Sequence, residues 1–291
     1  MSHYADRLHA AIAARKSPLC VGLDPRWESL PASLASWYDA TTAGKAEAYL
    51  DFCTRVLDLV HPFCAVVKPQ SAFFETLGHA GFQVMEHLIA KAHQLGLLVI
   101  LDAKRGDIAS TAAAYAEAAF QYLKADALTV NPYLGEDAVQ PFIEEARKHG
   151  AGLYVLVRTS NAGAGLFQDL ETGQGKVHEV VARAVNGWNQ GHLGTSGLGD
   201  VGAVVGATSP KELASLRHLM PHVPFLVPGY GAQGGSAADC QPAFLPGGSG
   251  AVVNSSRGIM FPFKPDDAAW ESRIEQAARQ AAKELGSLTN G

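Results

Sequence analysis

Residues 97–108 of the chain read Leu-Leu-Val-Ile-Leu-Asp-Ala-Lys-Arg-Gly-Asp-Ile, an apolar run that ends abruptly in charged residues. Residues 97–101 are apolar at consecutive positions without alternation, which is typical of a parallel β-strand buried on both faces. Asp102, Lys104 and Asp107 follow at the point where such a strand ends. The segment predicts a buried parallel strand that brings charged side chains to one edge of a sheet.

Seven other short apolar runs share this pattern, and segments with helical periodicity separate them. The eight runs are at residues 19–23, 64–67, 97–101, 127–130, 153–157, 201–205, 223–227 and 251–253. The helical segments are at residues 45–60, 82–95, 110–123, 137–149, 176–190, 210–219 and 266–285. Successive runs begin about 33 residues apart, which is enough for a strand, a crossover helix and two loops.

Strict alternation of eight strands with helices predicts an α/β protein with a (β/α)₈ TIM barrel fold, and a doubly wound open sheet is the alternative. No linker rich in Pro, Gly or Ser divides the chain, so we expect one domain over residues 1–291. Such barrels have about 250 residues. The long loops at residues 25–43 and 158–175 can hold the surplus of about 40.

Composition excludes several classes of protein. Hydrophobic residues make up 47% of the chain and charged residues 18%, which indicates a folded globular protein. The net charge is −5 and the basic residues are scattered, so nucleic-acid binding is disfavoured. No apolar run approaches the ~20 residues that a membrane span needs.

The N-terminus and the cysteines point to the cytoplasm. Residues 1–16 are charged at four positions and lack the apolar centre of a signal peptide. The four cysteines form no C-x-x-C pair and lie among apolar neighbours, so we expect reduced core residues rather than disulfides or metal ligands. The residues are Cys20, Cys53, Cys64 and Cys240.

Polar residues or glycine follow each of the eight runs. In a TIM barrel the C-terminal ends of the strands form the mouth where catalytic groups lie. The residues predicted at that mouth are Asp24, Lys68, Asp102, Lys104, Asn131, 158–161, 206–208, Pro228, Gly229 and 254–257. A mouth lined in this way favours an enzyme over a purely structural protein.

The segment after the third run has the residue types of an acid–base site. Alternation along an extended chain places Asp102 and Lys104 on one face, and a turn at Gly106 could bring Asp107 to the same ammonium. Two carboxylates can hold and aim a lysine that delivers a proton. A structural salt-bridge network that caps the strand is the alternative.

Residues 101–111 closely resemble the signature of the orotidine 5′-phosphate decarboxylase family, and in particular its longer bacterial form, type 2. Stretches at residues 21–26, 67–70, 130–135, 158–161, 228–235 and 256–258 are similar to that family in the same order. The resemblance implies a homodimeric TIM barrel with a shared active site. It implies conversion of orotidine 5′-phosphate to uridine 5′-phosphate and carbon dioxide in pyrimidine biosynthesis, without a metal or an organic cofactor.

The resemblance also implies roles for individual residues. Lys104 would donate a proton to C6 of the pyrimidine, with Asp102 beside the substrate carboxylate. The partner subunit would contribute Asp107, Ile108 and Thr111 to the site.

Further residues would bind the substrate. Asp24 and Lys68 would hold the ribose hydroxyls, and Ser160 would contact the pyrimidine ring. Gln233 and Arg257 would bind the 5′-phosphate, and Pro228, Gly231 and Gly234 would be further substrate-binding residues. One departure lies near Ser160, because Ala162 stands where related sequences often have proline.

Residues 229–234 also fit the pattern G-x-G-x-x-G of dinucleotide-binding proteins. The context contradicts that interpretation, because no acidic residue lies near the required offset of about 20 residues. A glycine loop can still bring backbone N–H groups close to a phosphate. With Arg257 it predicts the phosphate site formed by the loops after strands seven and eight of a barrel, and an ordinary surface turn is the alternative.

No motif predicts a metal site. The pair His218 and His222 has the spacing of half a zinc site, but Pro221 would break the helix that such a pair needs. Three other functions stay open from the residues. They are a magnesium-dependent phosphosugar enzyme, an aldolase that forms a Schiff base on Lys68 or Lys104, and a nucleotide-binding sensor without turnover.

Overall fold

The computed structural model describes residues 2–207, 209–231 and 234–289, and its centre is a closed barrel of eight parallel strands. The barrel strands are β1 (Leu19–Leu23), β2 (Val66–Pro69), β3 (Leu98–Arg105), β4 (Ala127–Val130), β5 (Gly152–Arg158), β8 (Val201–Val205), β9 (Phe225–Val227) and β10 (Ala251–Ser255). Strand β10 pairs with β1 and closes the barrel. The predicted TIM barrel is confirmed, and the open sheet is excluded.

Helices surround the barrel. They are α1 (Tyr4–Arg15), α2 (Ala32–Ala35), α3 (Thr42–Val60), α4 (Ser71–Glu75), α5 (Gly78–Gln94), α6 (Ala109–Glu117), α7 (Glu136–Lys148), α8 (Gly165–Gln168), α9 (Val177–Trp188), α10 (Pro210–Leu219), α11 (Ala237–Cys240), α12 (Arg257–Met260) and α13 (Trp270–Gly286). A π-helical turn (Ala118–Tyr122) extends α6, and 3₁₀ turns lie at Trp27–Ser29, Gln241–Ala243 and Ser287–Thr289. The short strands β6 (Glu171–Thr172) and β7 (Gly175–Lys176) form an antiparallel hairpin.

Side-chain alternation along the strands produces two hydrophobic clusters. One face of each strand packs against the surrounding helices. The other face fills the barrel interior with Cys20, Val66, Ile100, Ala127, Tyr154, Val204, Leu226 and Val252. Because alternation has a period of two, positions two and four residues further along each strand also point inward, toward the mouth.

Helix α1 closes the opposite, N-terminal end of the barrel. Its residues Tyr4, Leu8 and Ile12 recur every fourth position and join the interior cluster. The Tyr4 hydroxyl donates to the Tyr154 hydroxyl at 3.1 Å, and the two rings meet edge to face. A Cβ on Gly152 would lie 2.4 Å from the Tyr4 ring, so only glycine admits the ring here.

The predicted elements differ from the structure mainly at their ends. The run at residues 64–67 corresponds to β2, which begins at Val66 and continues to Pro69, and the run at residues 97–101 continues as strand to Arg105. The helical segment at residues 110–123 divides into α6 and the π-helical turn. Helix α1 is absent from the predicted elements, because its alanine-rich sequence gives a weak apolar pattern. In the described part of the chain, no helix has both the length and the apolarity to cross a membrane.

Candidate active site

The barrel mouth contains a cleft of about 240 Å³ in which most of the predicted polar residues meet. Its lining comprises Asp24, Arg26, Lys68, Gln70, Asp102, Pro228, Gly229, Tyr230, Asn254, Ser256, Arg257 and Phe261. Lys68, Asp102 and Asn254 each lie two residues beyond a member of the interior cluster. The alternation that fills the barrel with apolar side chains therefore also delivers these polar groups to the cleft.

Asp102 is the centre of the hydrogen-bond network at the mouth and is only 6% exposed. Its Oδ2 accepts from Lys68 Nζ at 2.6 Å and from Gln70 Nε2 at 3.0 Å. Its Oδ1 accepts from Lys104 Nζ at 2.6 Å and from the Thr129 hydroxyl at 2.9 Å. The carboxylate thus lies between two ammonium groups. Its pairing with Lys104 agrees with the prediction from the Asp-Ala-Lys motif.

The charges in this network stabilise one another. Burial by itself raises the pKa of Asp102, but the ammonium groups of Lys68 and Lys104 outweigh it and hold the pKa well below its usual range. Burial alone lowers the pKa of Lys68, whereas Asp102 and Asp24 raise it above its usual value. Asp102 is therefore an anion and Lys68 a cation at neutral pH.

Lys104 differs from Lys68 in its exposure and backbone. The Lys104 side chain is 45% exposed, whereas that of Lys68 is 7% exposed. The Lys104 backbone has φ +46°, a left-handed conformation that costs a non-glycine residue about 1–2 kcal/mol. Residues in such conformations cluster at functional sites, where the surrounding structure holds them in place. Lys104 is not among the residues that line the cleft, but its ammonium binds Asp102, which is, so Lys104 lies beside the cleft.

Asp107 does not pair with Lys104 within the chain, so the intrachain pairing suggested by the spacing is wrong. Among the described residues, the ion pair of Lys104 is with Asp102, and Asp107 Oδ1 accepts from the backbone N–H of Ile108 at 2.8 Å. The Ile108 side chain is 57% exposed, and Thr111 on α6 is also exposed. Asp107 thus has no ion pair among the described residues, and residues 108–111 are exposed.

Asp24 has an unused hydrogen-bond acceptor. Its Oδ2 accepts from the Ser256 hydroxyl at 2.6 Å. Its Oδ1 is buried and has no hydrogen-bond partner among the described residues. A buried oxygen of this kind is costly unless a ligand or water satisfies it. The site can therefore accept a hydrogen bond from a hydroxyl group placed between Asp24 and Lys68.

The segment that carries Ser160 is braced by α8. Gln168 Oε1 accepts from the Thr159 backbone N–H at 2.9 Å, and Gln168 Nε2 donates to the Thr159 hydroxyl at 2.8 Å. Arg158 binds Asp169 at the end of α8 at 3.1 Å. Ser160 packs beside Gly206, where a Cβ would lie 3.0 Å from the Ser160 Cβ. The loop at residues 158–175 thus braces the segment of Ser160, which is not among the residues that line the cleft. Thr208, predicted nearby at the mouth, lies outside the described residues.

The predicted phosphate side of the cleft contains Arg257 and the glycine loop. Arg257 and Pro228 line the cleft together. Gly231 and Gly234 have φ +74° and +91°, and their N–H groups donate to the carbonyls of Gly235 and Gly231 at 2.8 Å. In this conformation the N–H groups of both glycines are used within the loop. Arg257 is the charged group that can donate hydrogen bonds to a phosphate. Gln233 lies outside the described residues.

Several residues of the cleft were not predicted. Gln70 and Tyr230 line it, and Arg26 lies over the Phe73 ring at 5.4 Å. Gln70 continues the inward alternation of β2, which is the signal that could have identified it. Thr129 is a polar residue inside an apolar run, and that contrast is the corresponding signal on β4.

The site contains amines, carboxylates and a guanidinium rather than a set of metal ligands. Within residues 2–207, 209–231 and 234–289, no group of three or more His, Cys, Asp or Glu side chains is arranged to hold a metal ion. Fold and site together define a TIM barrel enzyme with charged groups converging on an anionic substrate.

Comparison with known proteins identifies the family. The profile of the orotidine 5′-phosphate decarboxylase/HUMPS family matches residues 17–271. The chain is 46% identical to the orotidine 5′-phosphate decarboxylase of Rhodopirellula baltica over all of both chains. It is 42% identical to that of Deinococcus radiodurans, with 99% of this chain and 97% of the relative covered. The chain belongs to the orotidine 5′-phosphate decarboxylase family.

A solved structure agrees with this assignment. The structure of Leishmania donovani OMP decarboxylase superposes with a TM-score of 0.79 at 35% identity, and the match covers 100% of both chains. The resemblance seen in the sequence motifs is confirmed.

Proposed function

We propose that the chain decarboxylates orotidine 5′-phosphate to uridine 5′-phosphate and carbon dioxide, a step of pyrimidine biosynthesis. The observation that carries the proposal is the buried Asp102 carboxylate between Lys68 and the more exposed Lys104, in a protein of this family. Relatives that match over their full length carry the name of this activity.

The reaction places a specific demand on the site. When the bond from C6 to the carboxyl carbon breaks, the electron pair stays on C6 in an orbital that the ring π system cannot delocalise. The Lys104 ammonium stabilises this pair and then transfers a proton to it, so that a C6–H bond forms and carbon dioxide leaves. Because the Lys104 side chain is 45% exposed, water can return the proton to its amine.

One ammonium cannot supply the whole acceleration. At about 4 Å and an effective dielectric near 20, its attraction for the developing charge is about 4 kcal/mol. Enzymes lower barriers by about 8–23 kcal/mol. Binding of the distant phosphate supplies more, because it can be used for closure and the exclusion of water around C6. Repulsion between Asp102 and the substrate carboxylate adds to this, since the low pKa of Asp102 keeps it ionised.

The cleft suggests how the substrate binds. The unpaired Asp24 Oδ1 and the Lys68 ammonium are suited to the ribose hydroxyls, and Arg257 is suited to the 5′-phosphate. Ser160 would contact the pyrimidine ring. Gln233 is proposed at the phosphate, and Pro228, Gly231 and Gly234 as further substrate-binding residues, from the family resemblance.

Loss of the proposed proton donor gives the most direct test. With no metal added and with EDTA present, the wild-type chain should consume orotidine 5′-phosphate, followed by the fall in its absorbance. Lys104→Ala should lower kcat/KM by at least about 10³-fold. The matched control is Lys91→Ala, since Lys91 pairs with Asp58 at 2.7 Å on a surface helix. An inactive wild type, or Lys104→Ala with near-normal activity, would contradict the proposal.

The same assay separates the alternative chemistries. Activity that disappears in EDTA and returns with Mg²⁺ would favour the magnesium-dependent phosphosugar enzyme. A borohydride-trapped adduct on Lys68 or Lys104 would favour the aldolase. Binding of the nucleotide without turnover would favour the sensor.

We further propose a homodimer in which Asp107, Ile108 and Thr111 of one subunit complete the site of the other. Asp107 makes no ion pair with the Lys104 of its own chain and residues 108–111 are exposed, which supports this arrangement. Three large apolar side chains nearby are exposed in the single chain: Ile108 at 57%, Tyr133 at 83% and Leu134 at 51%. Exposed apolar side chains of this size favour burial against another subunit.

A mixed dimer tests the shared site. Subunits with Lys104→Ala and with Asp107→Ala should each be nearly inactive alone. In a mixed dimer one site would have both residues intact, so each mixed dimer should regain one working site of two. Mixing that restores no activity would show that Asp107 does not act across the interface.

The remaining proposals concern the whole chain. We propose that residues 1–291 form one domain around the single barrel and act in the cytoplasm. All four cysteines are buried free thiols, which suits a reducing compartment. Limited proteolysis that releases a stable fragment, or localisation of the tagged chain outside the cytoplasm, would contradict these proposals.

A further inference from the structure

Strand β3 is irregular where it carries the proposed catalytic residues. Leu101 pairs with Leu128 on β4, but the next pair joins Arg105 to Val130, so β3 advances four residues while β4 advances two. A bulge of this kind takes residues out of the ladder of backbone hydrogen bonds and re-aims their side chains. Lys104 lies within the bulge, and its left-handed φ of +46° belongs to this distortion.

Thr129 on β4 lies opposite the bulge, between the two paired positions. It is 1% exposed and faces the barrel interior. Its hydroxyl oxygen accepts from the Lys104 backbone N–H at 2.9 Å, and its O–H donates to Asp102 Oδ1, also at 2.9 Å. One threonine hydroxyl can make both bonds. The side chain thus supplies the acceptor that a regular ladder would have supplied to the Lys104 N–H.

The two bonds of this hydroxyl act on both ends of Lys104. The backbone N–H of Lys104 is bound to Thr129 directly. The Lys104 ammonium is bound to Asp102 Oδ1 at 2.6 Å, the same oxygen that receives the Thr129 hydroxyl. A shift of the hydroxyl would therefore displace the backbone of the lysine and the carboxylate that aims its side chain.

We propose that Thr129 is a positioning residue whose hydroxyl holds the bulge in the conformation that aims Lys104 at C6. The inference rests on the proposed function, because the aim of Lys104 matters to turnover only if Lys104 gives its proton to the substrate. The hydrogen bonds of Thr129 go to Lys104 and Asp102, so its effect falls on the chemical step rather than on ribose or phosphate binding.

Two substitutions separate the hydroxyl from the shape of the side chain. Thr129→Val keeps the branched shape and removes both hydrogen bonds, whereas Thr129→Ser keeps the hydroxyl. Tyr154→Phe is a matched control, since its hydroxyl is also buried inside the barrel but lies at the closed end, 3.1 Å from the Tyr4 hydroxyl. A general effect of losing an interior hydroxyl would appear in this control as well.

Steady-state kinetics test the proposal. Thr129→Val should lower kcat by about 10- to 100-fold, the scale expected when a reacting group is misplaced by about 1 Å. KM should stay within about twofold of the wild-type value, since the binding groups are unchanged. Thr129→Ser should retain kcat within about threefold, and Tyr154→Phe should leave kcat unchanged.

Three kinetic results would overturn the proposal. The first is a kcat for Thr129→Val within about threefold of wild type. The second is a Thr129→Ser variant as impaired as Thr129→Val. The third is a rise in KM without a fall in kcat, which would assign Thr129 to binding instead.

A second measurement does not depend on turnover. Hydrogen exchange of the Lys104 amide, followed by NMR on the intact proteins, should be about tenfold faster in Thr129→Val than in wild type or Thr129→Ser. Equal rates in all three would overturn the positioning role itself. If the wild type did not decarboxylate the substrate, the proposed function would fail, while the exchange rates would still decide whether the hydroxyl holds the bulge.

Discussion

Each end of the barrel buries an aspartate among cations, but the mouth also has a buried carboxylate oxygen, Asp24 Oδ1, that no described residue satisfies. Asp126, 8% exposed, accepts from Arg7, from His93 Nε2 at 2.9 Å and from the Val99 N–H at 2.8 Å. These partners belong to α1, α5 and β3, so the carboxylate ties three elements together at the closed end.

At the mouth, the partners of Asp102 differ from those of Asp126 in their position in the fold and in their exposure. Lys68 and Lys104 come from neighbouring strands, and the side chain of Lys104 is 45% exposed. A second carboxylate oxygen, Asp24 Oδ1, is buried beside them without a partner in the described chain. Burial and ion pairing are therefore alike at the two ends. The mouth differs in the greater exposure of Lys104 and in Asp24 Oδ1, which no described residue satisfies.

The largest expected effect comes from neutralising the aspartate at the mouth. Asp102→Asn leaves two ammonium groups facing a neutral amide and removes the acceptor that aims Lys104. We expect kcat/KM to fall by about 10³-fold, measured by the absorbance assay. Thermal unfolding of the same variant separates lost chemistry from lost folding. If kcat/KM fell less than about tenfold while stability fell strongly, the mouth network would be structural like that of the closed end.

Neutralising the aspartate at the closed end should lower stability and leave turnover unchanged. Asp126→Asn cannot accept all three hydrogen bonds, and it leaves Arg7 without its anion. We expect the free energy of unfolding to fall by about 2–3 kcal/mol, discounted because Arg7 is partly exposed, and kcat to stay unchanged. Denaturant unfolding at pH 7 measures the first and the absorbance assay the second. A stable variant with a low kcat would contradict the division of roles between the two ends.

The pH dependence sharpens the same test. Burial raises the pKa of Asp126, but hydrogen bonds from His93 and Arg7 outweigh it, so the pKa lies below its usual value. Because the pKa of Asp126 is lowered in the folded state, its charge stabilises the fold at pH values above the unfolded-state pKa of about 4. This stabilisation is lost as the pH falls through the folded-state pKa. The stability difference between wild type and Asp126→Asn should therefore be full at pH 7 and shrink below about pH 4. A difference independent of pH would mean that the charge of Asp126 is unimportant.

Much of the site could be predicted because strand alternation is local information. The eight apolar runs define the barrel, and residues just beyond them, such as Lys68 and Asp102, reach the mouth by the period of two. The same rule places Gln70 at the mouth, although it is not among the residues predicted there.

Other features depend on contacts that a local pattern does not contain. The bulge in β3 arises from its pairing with β4, so neither the φ of Lys104 nor the bond to Thr129 follows from residues 97–108. The prediction that Asp107 pairs with Lys104 of its own chain is wrong because a turn at Gly106 brings the two residues close along the chain but does not set the direction of the Asp107 side chain. Helix α1 is stabilised by the barrel floor rather than by its own sequence.

The packed interior and the floor formed by Tyr4 and Tyr154 close the barrel below the cleft. Substrate enters, and carbon dioxide and the nucleotide leave, through the mouth that the glycine loop borders. Substrate and nucleotide product use the same groups for the ribose and the phosphate, so one molecule occupies the cleft at a time. We therefore expect the nucleotide product to inhibit competitively with substrate.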